Sequence, residues 1–440
     1  IQVRAVNLEG QSEWSQAISA GTEAQQQAGE DSFFSVDKRS IASKSDYSPN
    51  ADRAALLSGF DWGRIRSNRL KSIHAADWNL ITQKAQSNST AEILAKAFYA
   101  FIVNDASIGR DAINRAFSWV DSINDYEKSK DALNILSQAL LVYQACGAFF
   151  DGSTPSKTQF RTKCKEKFSE IPGNDIDARQ ADSHIAGHQA TGFLQAGLMA
   201  ACFYDDEPEI FNNYLDALYD NRGLEAQNYF LQSGAYHQGT YGGKQSHYYL
   251  LQMQFQQFLP SNLTFLDDQL RNLAYSNIFG HCTDGVMLVD AETNDQHWGH
   301  GHGEYRHVAL AFLLYGDPYF LYFLENNSFN TPLAGLTQEE PVETLIALGK
   351  ILHEVSPRNL SQGVPLVWQA TNPLGRYIWQ NNHAMVGNQS KVDFKYNLLS
   401  TEAHDDRADG RFQIVVNGKR LIKIGGVWSG VFNKHSRPWL

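Results

Sequence analysis

The chain has 440 residues, of which 42% are hydrophobic and 19% charged, enough apolar material for large cores and too much for wholesale disorder. With 48 acidic and 37 basic residues its formal net charge is −11, the opposite of the balance a general nucleic-acid binder shows. No apolar run reaches the ~18–20 residues that span a bilayer, and Cys146, Cys164, Cys202 and Cys282 form no CxxC pair of the kind that marks a zinc ribbon or a disulfide framework.

In chain order, Ile1 to Val6 alternates like a strand, Asn7 to Gly10 reads as a turn, and Ser15 to Thr22 reads as a second strand. The stretch "IQVRAVNLEGQSEWSQAISAGTE", residues 1–23, resembles the last two strands of a fibronectin type III domain. Two strands do not make a sandwich, so the rest of such a module, with any export signal, is expected upstream. Residues 24–53 are rich in Gln, Ser and Asp and read as a linker.

From 54 to 358 the dominant period is helical. Helices are predicted over 91–104, 130–150, 190–204, 247–259, 266–279, 303–316 and 341–352. Pro155, Pro208, Pro260 and Pro318 fall between them or at first turns, where proline is tolerated. Roughly ten to twelve helices with short connections predict an α/α toroid or barrel of helix pairs, with an irregular bundle as the alternative. No fixed-period repeat is evident, which argues against a solenoid.

The pattern changes near 359. "VPLVWQA" and "GRYIWQ" are followed by Lys391 to Tyr396, where Val392, Phe394 and Tyr396 alternate with Lys391, Asp393 and Lys395. "RFQIVVNGKRLIKIGG" is a hairpin with Asn417-Gly418 at its turn. Residues 359–440 are therefore expected to be antiparallel β, with too few strands to close a sandwich, so this domain is expected to be truncated as well. The fold class predicted is multidomain α+β: a helical toroid followed by part of an antiparallel β-sandwich.

Histidines carry the richest chemical signal. His184 and His188 sit at i, i+4 in "DSHIAGHQATG", on one face if that segment is helical. "SGAYHQGTYGG" holds His237, Gln238 and Tyr241 among glycines, "DQHWGHGHGEYRH" holds His297, His300, His302 and His307, and "STEAHDDRADG" holds His404. Taken singly, each histidine is better explained by a structural role.

The run "SHIAGHQATGFLQAGLMAACFYDDEPEIFNNYLDALYD", then "AQNYFLQSGAYHQGTYGG", then "EAHDDRADGRFQIVVNGKRLIKIGGVWSGVFNKHS" resembles the heparinase II/III class of polysaccharide lyases. In that class a helix with a catalytic His precedes an SGxxHQG-like loop with a catalytic Tyr, and a second His precedes a GxFQIxxxG hairpin. The resemblance spans about 180 to 440. It implies an α/α toroid with a following β-sandwich, an anionic polysaccharide as substrate, and His188, Tyr241 and His404 as catalytic residues. His184, Gln189, Gln238, His302 and Arg306 are candidates to hold the substrate. Secretion or a periplasmic location goes with that substrate.

The implied chemistry explains the residue types. A uronate lyase removes the proton at C5 and expels the sugar linked through O4. The charged carboxylate makes C5 a poor acid until hydrogen-bond donors or positive charge stabilise the enolate-like transition state. A base must reach C5 and an acid O4. Tyrosine, with an ordinary pKa of ~10, serves as base near neutrality only if His⁺ or Arg lowers it.

The match is incomplete. Gly187 and Thr191 stand where the class often has Asn and Glu, so no carboxylate neutraliser is assigned, and the loop spacing up to Tyr241 is one residue short, which leaves Tyr248 as a fallback. Relatives with a structural zinc use positions held here by Asp406 and about Lys423, and lysine does not replace an anionic ligand. No cofactor is assigned. For His300, His302 and Glu304 three readings stay open: a divalent-metal site, a substrate-lining loop, or structure. Lys157 to Lys167, a basic run, is read as a solvated helix face before a polyanion-steering patch. Asp205-Asp206 reads as a helix start.

Two further function classes remain in view. A glycoside hydrolase on the same toroid needs paired carboxylates, and Asp290, Glu292, Asp295 and Glu304 offer no spacing that singles out a pair. A non-catalytic polysaccharide-binding protein needs only the cleft. The particular uronan, endo or exo action and the oligomeric state are not encoded in any motif found.

Overall fold

A computed structural model of the chain describes residues 6–7, 10–11, 33–34, 39–49, 62–70, 75–89, 92–124, 129–171, 197, 200–220, 224, 228, 231–232, 234–235, 245–267, 269–283, 288, 302–326, 355–370, 375–395 and 411–422. The chain divides into two compact units, Ile1–Asp37 and Lys38–Leu440. In the first, β1 (Val6–Asn7) pairs antiparallel with β2 (Gly10–Gln11), within the stretch expected to hold a strand and a turn. The strand expected at Ser15 to Thr22 lies outside the described residues.

The second unit is mixed α and β, with helices first and an antiparallel sheet after them. It opens inside the stretch read as linker. There β3 (Ser40–Ile41) pairs in parallel with a short strand far along the chain. Ala42 and Tyr47 are buried. Tyr219 Oη donates to the Ala42 carbonyl at 2.6 Å and lies 2.9 Å from Tyr47 Oη. Residues 39–49 are thus part of the folded body, because their few apolar and hydroxyl groups find partners that composition does not reveal.

The helices then follow: α1 (Trp62–Asn68), α2 (Ala75–Ala85), α3 (Ile93–Val103), α4 (Ala106–Asp121), α5 (Ser129–Ala145), α6 (Lys157–Ser169), α7 (Pro208–Asp220) and α8 (Gln245–Gln256). After β4 (Leu263–Thr264), the partner of β3, come α9 (Leu270–Gly280), α10 (His302–Tyr315) and α11 (Pro318–Asn326). Local signals fix their ends. Asp105 Oδ1 accepts from Ser107 and Ile108 N–H and caps α4, and Ser156 with Gln159 forms a capping box on α6. α3 stops at Asn104, whose φ of 59° is left-handed.

Consecutive helices from α2 to α6 pack on one another, and α10 packs on α8, α9 and α11. α3 buries Ile93, Leu94, Ala97, Phe98, Ala100 and Ile102. At about 25 cal/mol per Å² of apolar surface removed from water, such faces supply most of the drive to pack. Phe255 stacks on Phe265 at 4.5 Å and on Tyr214 at 5.9 Å, joining α7, α8 and β4. The helix expected over 341–352 lies outside the described residues.

The sheet runs β5 (Val367–Ala370), β6 (Arg376–Gln380), β7 (Lys391–Lys395), β8 (Arg411–Val416) and β9 (Lys419–Ile422), in that order and antiparallel throughout. The β8–β9 turn is the expected one, with Asn417 at φ 48° and Gly418 at φ 74°, the two positive angles of a type I′ turn. The faces are unusual. Trp368, Ile378 and Val415 are buried, and so are Arg376, Gln380, Lys391, Asp393, Lys395 and Gln413. Trp379, Phe394 and Phe412, on the opposite face, are exposed at 37%, 40% and 48%. The charged row points into the molecule and the aromatic row points out.

Candidate functional site

Helix α9 is where the region of the second motif and the sheet meet. Gly234, the glycine of the SGAYHQ segment, has φ +76°, and a Cβ there would lie 2.9 Å from Asn272 Cβ. Only glycine takes this conformation without strain and allows so close an approach. On the same helical residue, the Asn272 carbonyl accepts from Trp368 Nε1 of β5 at 3.2 Å. Asn272 Nδ2 donates to Gln269 Oε1 at 2.9 Å, while its Oδ1 is buried and accepts no hydrogen bond among the described residues. Sequence reasoning passed over Asn272 because an asparagine inside a helical period carries no motif.

The end of α9 makes the second junction with the sheet. Lys391 of β7, 1% exposed, donates to the Phe279 carbonyl at 2.7 Å. A cation suits the carbonyl end of a helix, but burial still pushes the lysine down to about 8, with Arg376 adding to the fall and Cys282 and Asp393 opposing it. His281 follows α9, buried, with its ring edge-on to Phe323 at 5.5 Å. Burial first, and then the Lys391 charge, hold His281 down near about 3, with the nearby Met385 backbone opposing them.

His383, on the β6–β7 connection, completes the group. Its Nε2 lies 2.8 Å from the Val364 carbonyl, which can only accept, so Nε2 carries the proton. Nδ1 is then the acceptor for Gln380 Nε2 at 2.7 Å. Burial lowers the affinity of His383 for a second proton. Beside this group Arg376 grips Asp393 through two bonds of 2.8 and 2.9 Å, and Gln413 donates to the same carboxylate at 2.9 Å. This cluster is saturated and structural in kind.

The residues singled out in the sequence fare unevenly. His184, His188, Gln189, Gln238, Tyr241 and His404 lie outside the described residues, as do His297, His300 and Asp406. His302 and Arg306 fall on the first turns of α10, which places their backbone and no more. His307 is buried, its ring stacked 6.5 Å from Tyr249. Tyr248, the fallback for Tyr241, is 3% exposed, a core residue.

The basic run on α6 is neutralised locally. Arg161 pairs with Asp206 at 3.0 Å, Lys163 with Asp121 at 3.2 Å, and Lys165 with Glu207. Lys167 donates to the Ile123 carbonyl at 2.8 Å. The run ties α6 to its neighbours, so the helix-face reading fits better than polyanion steering. Of the Asp205-Asp206 pair, Asp206 is the Arg161 partner, and α7 begins at Pro208 with Glu209 in its first turn.

Among the described residues no group of three or more His, Cys, Asp or Glu is placed to hold a metal ion, and none of the described helices is long and apolar enough to cross a membrane. No protein-family model matches the chain, and no curated protein is detectably similar to it.

Proposed function

We propose that the chain is a polysaccharide lyase that cleaves a uronic-acid-containing polysaccharide by β-elimination, alginate being favoured over heparin-like polymers. The observation that carries this reading is the meeting at Asn272. Gly234 of the SGAYHQ segment and Trp368 at the start of the sheet touch the same residue of α9. Gly234 lies seven residues before Tyr241 in the sequence, and Trp368 opens the sheet to whose β7–β8 connection His404 belongs, so their meeting on one helix supports a site shared between the helical body and the sheet.

In this reading His188 and Tyr241 come from the helical body and His404 from the sheet. A base removes the C5 proton, the electron pair forms the C4–C5 double bond, and the C4–O4 bond breaks as an acid protonates the leaving oxygen. His184, Gln189, Gln238, His302 and Arg306 hold the sugar chain, with Arg306 suited to a bidentate grip on a carboxylate. The sequential packing of α2 to α6, and of α10 on α8, α9 and α11, supports a toroid of helix pairs. The outward row of Trp379, Phe394 and Phe412 supports one leaf of a β-sandwich, whose inner faces are apolar. A polymeric uronan implies secretion or a periplasmic location.

The test is ultraviolet absorbance of unsaturated uronate on a panel of uronic-acid polysaccharides, wild type against Tyr241→Phe. A rise with one polymer, lost in the variant, is the expected result. Release of reducing ends without absorbance, from a folded protein, would replace the lyase with a hydrolase. Binding without any product would leave a polysaccharide-binding protein.

A further inference from the structure

The buried bases of this molecule are unevenly distributed. His281, His383 and Lys391 gather where the end of α9 meets β6, β7 and their connection. We propose that this junction is an acid-labile joint: protonation of His281 and His383 opens the contact between α9 and the sheet while helices α3 to α6 stay folded.

The hydrogen bonds at His383 set the direction. Gln389 Nε2 donates to the Asn382 carbonyl at 3.0 Å and faces Gln380 Oε1 at 3.4 Å, Gln380 Nε2 donates to His383 Nδ1, and His383 Nε2 donates to the Val364 carbonyl. This relay needs a neutral ring. A proton on Nδ1 turns an acceptor into a donor that faces the Gln380 N–H, so the 2.7 Å bond is lost inside a buried site.

At His281 the obstacle is the surroundings. The ring sits against Phe323 and near the Lys391 ammonium. A second cation there meets an apolar wall on one side and a like charge on the other.

The charged and titratable groups facing the joint are few among the described residues. The end of α9 contributes His281 and Cys282, β6 contributes Arg376, β7 contributes Lys391 and Asp393, and the β6–β7 connection contributes His383. Asp393, the carboxylate of this set, is committed to Arg376 and Gln413.

Both histidines bind protons more weakly in the folded joint than in an unfolded chain. Their stabilising contribution is complete above about pH 6.5, the ordinary histidine value, and is lost as the pH falls below it, for His281 towards about 3. Lys391 acts in the same sense at higher pH: its contribution is complete above 10.5 and falls away as the pH drops to about 8. Acidification weakens the junction at each step.

The contrast lies in α3 to α6. Their buried basic side chain, Lys96, bonds the Asp111 carboxylate at 2.8 Å, and Asp111 is also bonded by Arg115. This block holds its charge in pairs that survive mild acid.

The joint does not rest on the lyase reading, and its test needs no substrate. Amide hydrogen exchange is followed on the 440-residue chain at pH 7.5 and at pH 5, with intrinsic rates divided out. Protection over 270–280 and 376–395 is expected to fall at least tenfold, while protection over 93–145 changes less than threefold. The double variant His281→Gln, His383→Gln keeps polar side chains and removes the titration, so it is expected to lose less than threefold at the joint. Equal loss across both regions would overturn the proposal, as would no loss at pH 5 or a loss already complete above pH 7. If the double variant is not folded at pH 7.5, His281→Gln and His383→Gln are used singly; a wild-type-sized loss in the double variant, or in both single variants, would overturn the assignment to the histidines.

Discussion

Two lysines are buried in this molecule under opposite circumstances. Lys96 on α3 is 5% exposed and meets a carboxylate, Asp111, whose own side chain is 40% exposed. Lys391 on β7 is 1% exposed and meets a backbone carbonyl. Burial pushes the Asp111 carboxyl up, yet hydrogen bonds from Lys96 and Arg115 hold it below its ordinary value. Lys391, whose Nζ caps the Phe279 carbonyl, falls to about 8. A buried cation is kept by a full opposite charge; a dipole keeps it only in part.

The largest effect that would break this comparison lies between the two regions. Trp368 is fully buried and ties β5 to α9. Trp368→Ala is expected to cost about 3–5 kcal/mol in urea unfolding, as large aromatic deletions in cores do. A cost under ~1 kcal/mol would mean that the sheet is not packed on α9 as described.

The lysines themselves give the next test. Lys96→Met leaves Asp111 with Arg115 alone and is expected to destabilise by about 1–3 kcal/mol at pH 7. Lys391→Met is expected to be near neutral or stabilising there, since it removes a buried charge whose direct partner is a carbonyl dipole. The pH dependence sharpens the point. Because Lys391 titrates near about 8 when folded and at 10.5 in its ordinary state, wild-type stability should rise by roughly 1–2 kcal/mol between pH 8 and 9.5. Lys391→Met should lack that rise in parallel denaturant titrations. Above pH 10 the buried tyrosines, whose hydroxyls burial pushes up, act in the opposite sense, so the window closes there.

A further destabilisation is expected at Gly234. Gly234→Ala brings a Cβ to 2.9 Å from Asn272 Cβ at φ +76°, a strain of about 1–2 kcal/mol. Thermal melting would show a drop of a few degrees. An unchanged midpoint would mean that the SGAYHQ segment is not held against α9.

Much of the local structure was legible beforehand. The apolar period over 91–104 became α3, and the Asn417-Gly418 pair became a type I′ turn, because both rest on interactions within a few residues. The parallel pairing of β3 with β4 was not legible. It joins residues more than two hundred positions apart through two residues on each side, too little pattern to stand out in a polar stretch. The junction of His281, His383 and Lys391 was equally hidden, since none of the three lies in a motif and only packing brings them together. Of the candidate site, the sequence named the motifs, while the meeting of Gly234 and Trp368 on Asn272 required the helix between them.

The sequence by itself determined that residues 391–395 form a two-faced strand, since a strand puts alternate side chains on opposite sides. It did not determine which face is buried. Alternation alone would turn Val392 and Phe394 inward, yet Lys391, Asp393 and Lys395 are the buried row. Only the tertiary structure decided this, because the surface that the sheet meets is not a purely apolar one. Helix α9 ends on the Phe279 carbonyl, one of the last-turn acceptors with no donor inside the helix, and the sheet answers it with Lys391. A buried acceptor left without a donor costs more than an aromatic ring left half in water, so the polar face went in.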